Sequence, residues 1–281
     1  MFLRVVTYFL LIYTLGSCMR IRTSDKKVYK NFRKKGVDVR VYKQTVSDTT
    51  FRYIESGLDK PNVPLVIFVH GAPGSSDSFD DYLQDSILLT KARLVSVDRL
   101  GYGYSEFGKA EISIQKQTQI IEEIVQQKEY SKLILVGHSF GGPIITRYLM
   151  DYPGKAEGVV MLAPAISPDD EKILKIAYLA KWKVTRTLFT PKVFCVAADE
   201  KFSHADQLRL MVDNYSAIKD CKVIHIHGDR DPIVPFANLA FAKKKFINCE
   251  FHPVPLEGVN HFIPWNSKPT VMKHILPFLE D

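Results

Sequence analysis

The chain has only four cysteines, Cys18, Cys195, Cys221 and Cys249. No two of them form a CxxC pair or a metal-like spacing, which excludes a zinc ribbon and a thioredoxin-type redox motif. A long hydrophobic run is also missing: the apolar stretch at residues 5–15 is well short of the ~20 residues a helix needs to cross a bilayer core, so a permanent span is the weaker reading. Internal repeats and low-complexity tracts are absent. Basic charge is absent from most of the chain as well. The formal net charge is +7, but residues 1–43 hold 11 Lys/Arg against 2 Asp/Glu, leaving 27 against 29 for the rest. A surface that binds phosphate backbones needs positive charge spread over the folded body, so no nucleic-acid partner is expected. Two cofactor patterns each fail at one residue. His225, His227 and Asp229 begin a metallo-hydrolase HxHxDH pattern, but Arg230 stands where the next histidine belongs; DRLGYGYS (98–105) offers Gly101 and Gly103, but Glu106 takes the place of the third glycine of a dinucleotide fingerprint. Neither a metal nor a nucleotide cofactor is expected.

At the amino terminus, Arg4 precedes the apolar run, and Gly16 and Ser17 precede Cys18. This is the layout of a secretory signal over residues 1–17. Leu15-Gly16-Ser17-Cys18 resembles the lipobox of bacterial lipoproteins, which implies acylation of Cys18, cleavage just before it, and an exported protein anchored in the cell envelope. An ordinary signal cut near Gly16 and an uncleaved anchor are the alternatives. Residues 18–37 read as a basic tether. Together with the basic residues up to Lys43, they suit a membrane surface of anionic headgroups, where each Lys or Arg contributes about 1 kcal/mol.

With 281 residues, 46% of them apolar, the remainder is long enough for one large α/β domain. Alternation in residues 38–42 and 50–54 predicts two antiparallel strands. Unbroken apolar runs follow at 65–69, 93–97, 132–136, 158–162 and 223–227, separated by helix-like stretches at 76–91, 112–129, 141–152 and 236–247. That rhythm predicts a mostly parallel sheet with helices on both faces. The interval between the last two runs is too long for one crossover. It predicts a helical cap insertion at 167–219, within a core formed by 38–166 and 220–281, over the strand ends where open α/β sheets bind ligands. Cys221 and Cys249 each fall just before a strand-like run near the carboxyl terminus, which suggests neighbours, with free thiols as the default.

Gly137-His138-Ser139-Phe140-Gly141 follows an apolar run and leads into a helix, the context in which a GxSxG turn exposes its serine. His70-Gly71-Ala72-Pro73-Gly74 ends another strand and brings a backbone turn beside it. A serine alcohol needs a base, and the base needs a carboxylate to fix its tautomer. Asp231 and, near the terminus, His261 both lie after strand-like segments, in the order serine, acid, histidine.

HGAPG, DRLGYGYS, GHSFGG (137–142), GDRDPIVP (228–235) and GVNHF (258–262) occur in the order found in the α/β-hydrolase superfamily, and the chain resembles that family over residues 38–281. The resemblance implies the α/β-hydrolase fold, nucleophile Ser139, base His261, acid Asp231 with Asp229 as the fallback, backbone N–H oxyanion donors at Ala72 and Phe140, and no cofactor. Serine at the elbow argues against dehalogenase and epoxide hydrolase activity. The expected reaction is hydrolysis of a small-molecule ester, a lipophilic acyl ester in view of the apolar cap and the tether. HGAPG is similar to the HGGPG of proline iminopeptidases, departing at Ala72. Asp169, Asp170, Glu171, Asp199 and Glu200 are candidate carboxylates for the substrate ammonium such an enzyme must hold. A non-catalytic binding protein on the same fold is the rival from another class. His70 and His138 read as packing residues.

Overall fold

A computed structural model describes residues 22–280. The signal sequence and Cys18 lie outside the described residues. Eight strands form one sheet: β1 Val39–Val46, β2 Thr49–Gly57, β3 Leu65–Val69, β4 Arg93–Asp98, β5 Leu133–His138, β6 Gly158–Leu162, β7 Lys222–Gly228 and β8 Glu250–Leu256. Their order is β1-β2-β4-β3-β5-β6-β7-β8. β1 pairs antiparallel with β2, and β2 with β4; all other pairings are parallel. This is the α/β-hydrolase fold.

The apolar strands are continuous because both faces are covered. Side chains alternate between two cores: Leu65, Ile67, Leu135, Val159 and Met161 enter one, and Val66, Phe68, Ile134, Val136 and Val160 enter the other. The helix Ile114–Val125 closes the first face with Ile120, Ile121, Ile124 and Val125. It starts two residues later than its apolar stripe suggests, because Ser113 accepts the Lys116 N–H and caps it, leaving Ile112 exposed. The stretch 76–91 is likewise three short turns and not one helix: Asp85 has extended backbone and caps Ser86–Lys91 by accepting from Ile87 and Leu88 N–H.

Part of the segment expected as a tether is folded onto the body. Asp25–Lys34 is a helix, and Val28 and Phe32, four apart and therefore on one side, enter the second core. Asp25 also pairs with buried Arg52, which reaches on to Asp98 at the end of β4. The basic residues of this helix face solvent.

Between β6 and β7 the chain is helical: turns at Lys175–Ala180 and Lys183–Leu188, the long helix Lys192–Arg209, and a turn at Val212–Ala217. At the opposite end of the sheet, Cys221 and Cys249 meet where β7 and β8 begin. Their sulfurs are 3.3 Å apart and both are free thiols. β8 forms the sheet edge and carries Pro253 and Pro255. No helix among the described residues is long and apolar enough to cross a membrane.

Candidate active site

β5 ends at His138, and the chain turns at once into the helix Gly141–Asp151. Ser139 sits on that turn with φ +53°, in the left-handed region that a side chain rarely adopts. The turn is held from below, since Ser139 N–H donates to Leu162 O and Gly142 N–H to Ser139 O. Its glycines are required by packing: a Cβ at Gly141 would stand 2.2 Å from Val69 O, and one at Gly137 would stand 2.7 Å from Gly141 O. Strand, turn and helix thus fix where the Ser139 hydroxyl points.

Asp231 follows β7 and is buried. Its Oδ1 accepts from Ile233 and Val234 N–H, both at 2.8 Å, and its Oδ2 accepts from His261 Nδ1–H at 2.6 Å. Burial alone would raise this carboxyl. Hydrogen bonds from His227 and His261, the His261 charge and the Val234 N–H outweigh it and hold the group well below the usual carboxylate range. Asp229, by contrast, is exposed and accepts from Gly258 N–H in the connecting loop. His138 Nε2–H donates to His261 O at 3.0 Å, and their rings lie 4.8 Å apart, so the residue before Ser139 holds the backbone of His261. Burial, with His261 alongside, drives the His138 imidazole down to about 3, keeping it neutral. His225 and His227 hydrogen-bond to each other at 3.1 Å. Among the described residues no group of three His, Cys, Asp or Glu is placed to hold a metal ion.

A cavity of about 340 Å³ opens beside Ser139. Ala72 and Phe140 line it from the sheet side, and Ile176, Phe189 and Phe194 from the insertion. Its lining is apolar apart from Ser139, Thr190, Lys172, Lys201 and His204. His204, unassigned by sequence, stacks on the Phe140 ring at 4.4 Å. It stands 3.2 Å from Glu171, without the alignment of a hydrogen bond. Burial would raise Glu171, but His204 and Lys201 prevail and keep it below its ordinary value.

The residue pair that sequence reasoning missed is Arg99 and Glu200, both buried. Arg99 Nη1 and Nη2 donate to the Glu200 carboxylate at 2.8 and 3.1 Å, Tyr102 O–H donates at 2.6 Å, and Gln117 Nε2 at 3.1 Å. Arg99 also donates to Gly71 O at 3.3 Å, and its guanidinium lies 4.6 Å above the Phe140 ring. One charged contact thereby joins the long insertion helix to the two turns that carry Ala72 and Phe140. Glu200 was recognisable only as a carboxylate in the insertion; nothing in a separation of 101 residues marks its partner.

The sequence profile described as alpha/beta hydrolase fold matches residues 64–188. Over 155 residues the chain is 24% identical to a 1-acylglycerol-3-phosphate O-acyltransferase of Arabidopsis thaliana, covering 53% of this chain and 36% of that one. Over 123 residues it is 27% identical to a proline iminopeptidase of Lactobacillus helveticus, covering 43% and 41%. A solved bacterial membrane phospholipase A superposes with a TM-score of 0.65 at 17% identity, covering 99% of this chain and 98% of that one. The chain spans less than half the length of these two curated relatives. It shares the α/β-hydrolase fold with proteins whose named activities differ, so the choice among activities rests on the site.

Proposed function

We propose that this protein is a serine hydrolase that cleaves a lipophilic acyl ester through an acyl-enzyme. Ser139 Oγ attacks the ester carbonyl while its proton passes to His261. With Nδ1 committed to Asp231, Nε2 is the nitrogen that takes this proton, and the ionised Asp231 stabilises the imidazolium that results. The carbonyl oxygen, now negative, is received by the backbone N–H groups of Ala72 and Phe140, which line the cavity. The tetrahedral centre collapses, the C–O bond to the alcohol breaks, and His261 returns the proton to the leaving alcohol. Water then repeats the sequence on the acyl-enzyme and frees the acid.

The observation that carries this reading is a serine held on a strained turn and opening into an apolar cavity, with a buried Asp231–His261 pair anchored to the residue beside it. The iminopeptidase reading needs carboxylates free to hold an ammonium. In the insertion, Glu200 is bound by Arg99, Asp199 by Arg186 and Glu171 by Lys201. Asp170 accepts from the Ser167 hydroxyl, Asp169 is exposed, and neither lines the cavity. The amino-terminal signal and Cys18 complete the proposal: an exported protein, acylated at Cys18 and held at the cell-envelope membrane. Mass spectrometry of the mature amino terminus tests that part, and an unmodified Met1 refutes it.

Hydrolysis of p-nitrophenyl esters of increasing chain length, beside amino-acid p-nitroanilides, tests the reaction. Ester turnover that rises with chain length and vanishes in Ser139→Ala is expected. Turnover of the anilides alone moves the protein to the peptidases. An active-serine probe that labels wild type and Ser139→Ala equally removes the enzyme reading. Ester consumption that yields a new ester when an alcohol is added points to acyl transfer in place of hydrolysis.

A further inference from the structure

Residues 172–192 of the insertion contain no Asp or Glu, and besides Arg186, which is paired with Asp199 of the long helix, they carry Lys172, Lys175, Lys181, Lys183 and Lys192. The same stretch holds large apolar side chains that the fold leaves largely exposed: Trp182 is 69% exposed, Leu188 67% and Val184 64%. Ile176, Tyr178, which packs edge-on against Phe202, and Phe189 are about half exposed. A monomeric fold ordinarily buries such residues, and a contiguous set of them marks an interaction site. Cations interleaved with exposed apolar groups, Trp among them, match a surface that lies in the interface of an anionic bilayer. The chemistry of the patch is continuous with the cavity, because Ile176 and Phe189 belong to both.

Where the patch lies relative to the amino terminus supports the same partner. Arg22, the first described residue, stacks over the Phe107 ring at 4.3 Å. Phe107 packs with Val193 and Val196 at the start of the long insertion helix, one residue beyond Lys192. Arg22 therefore lies beside the root of the patch. An anchor at Cys18, as proposed above, would be tethered to the body on this side.

We infer that residues 172–192 form a docking surface for an anionic lipid bilayer, through which a lipid ester passes directly from the membrane into the cavity. In this arrangement Trp182, Val184 and Leu188 enter the headgroup region, the lysines face lipid phosphates, and Ile176 and Phe189 give an acyl chain an apolar path toward Ser139. The route to Ser139 rests on the proposed hydrolase reading; the docking itself does not.

The test uses the full chain with vesicles of phosphatidylcholine alone and of equal parts phosphatidylcholine and phosphatidylglycerol. The chain has two tryptophans, Trp182 and Trp265, so the emission difference between wild type and Trp182→Phe reports Trp182. On anionic vesicles this difference spectrum is expected to shift to the blue and to be quenched by brominated lipid. Lys181→Gln with Lys183→Gln lowers partitioning by roughly ten- to thirtyfold, since each basic residue near such a surface contributes about fivefold. Leu188→Asp reduces hydrolysis of vesicle-borne ester at least several-fold and leaves turnover of a soluble short ester unchanged.

A Trp182 that stays open to an aqueous quencher while the protein is vesicle-bound overturns the proposal, because the amino terminus alone then makes the contact. So does a Trp182 shift that follows protein concentration without lipid, which assigns the patch to a second copy of the chain. Failure of the hydrolase reading looks different: Trp182 inserts, yet neither soluble nor vesicle-borne ester is cleaved.

Discussion

On the sheet side of the site, Arg99, Ser139, Asp231 and His261 are all more than nine-tenths buried, and Asp231, His261 and Arg99 each have an aligned polar partner. Along residues 172–192 the side chains are apolar or cationic apart from three threonines, and most are exposed. The first region holds its charges already placed, the arrangement that the proposed oxyanion step calls for. The second leaves large apolar groups in solvent, and on the inference above they are the groups a bilayer would cover. Arg99 belongs to the first region, and its partner Glu200 lies on the long helix Lys192–Arg209 that continues from the second.

The contrast can be broken from the buried side with the largest effects. Ser139→Ala should lower ester turnover by roughly 10⁴-fold or more, and Asp231→Asn by about 10⁴-fold, because the base loses its tautomer control. Asp229→Asn should change turnover little, and parallel steady-state kinetics of the two aspartate variants decide between them. Glu200→Gln leaves a buried guanidinium without its counter-charge, and urea unfolding should show a loss of about 3–5 kcal/mol. Arg99→Met combined with Glu200→Leu should recover only part of that stability: the desolvated ionic pair is gone, but the buried Tyr102 hydroxyl loses its acceptor.

A smaller effect follows from His138. Its imidazole titrates near 6.5 when unfolded and about 3 when folded, so between those values the native state binds fewer protons. The stability due to its neutral form is fully present above pH 6.5 and declines by up to about 1.4 kcal/mol per pH unit as pH falls toward 3. His70 and His225, also buried and also shifted downward by burial, act in the same direction. Unfolding followed from pH 7 to pH 5 should show a shallower slope in His138→Gln. The smallest effect sharpens the contrast from the other side: Leu188→Ser, at an exposed position, should leave stability within about 0.5 kcal/mol.

The sheet was legible because burial on both faces forces continuous apolar strands, and β3 and β6 coincide with the runs at 65–69 and 158–162. The turn around Ser139 was legible because its glycines answer to local packing. Sequence could not separate Asp231 from Asp229 on spacing alone, and the structure shows one facing His261 and the other a solvent loop. The helix Asp25–Lys34 was hidden by its charge: five of its ten residues are Lys or Arg, and the two that dock it, Val28 and Phe32, are a weak signal beside them. Arg99 and Glu200 were hidden for another reason. A buried ion pair is a property of two positions, and single-sequence reading weighs one position at a time.

The edge of the sheet also governs how copies of this chain meet. In β8, Glu250 N–H points to β7 and donates to Cys221 O, so alternate residues Phe251, Pro253 and Pro255 present their backbone nitrogens outward. Two of those three nitrogens carry no hydrogen. A foreign strand approaching this edge finds acceptors but almost no donors, and cannot zip onto the sheet. Strand-by-strand growth from this side of the sheet is thereby blocked, which leaves β1 as the edge where another chain could pair.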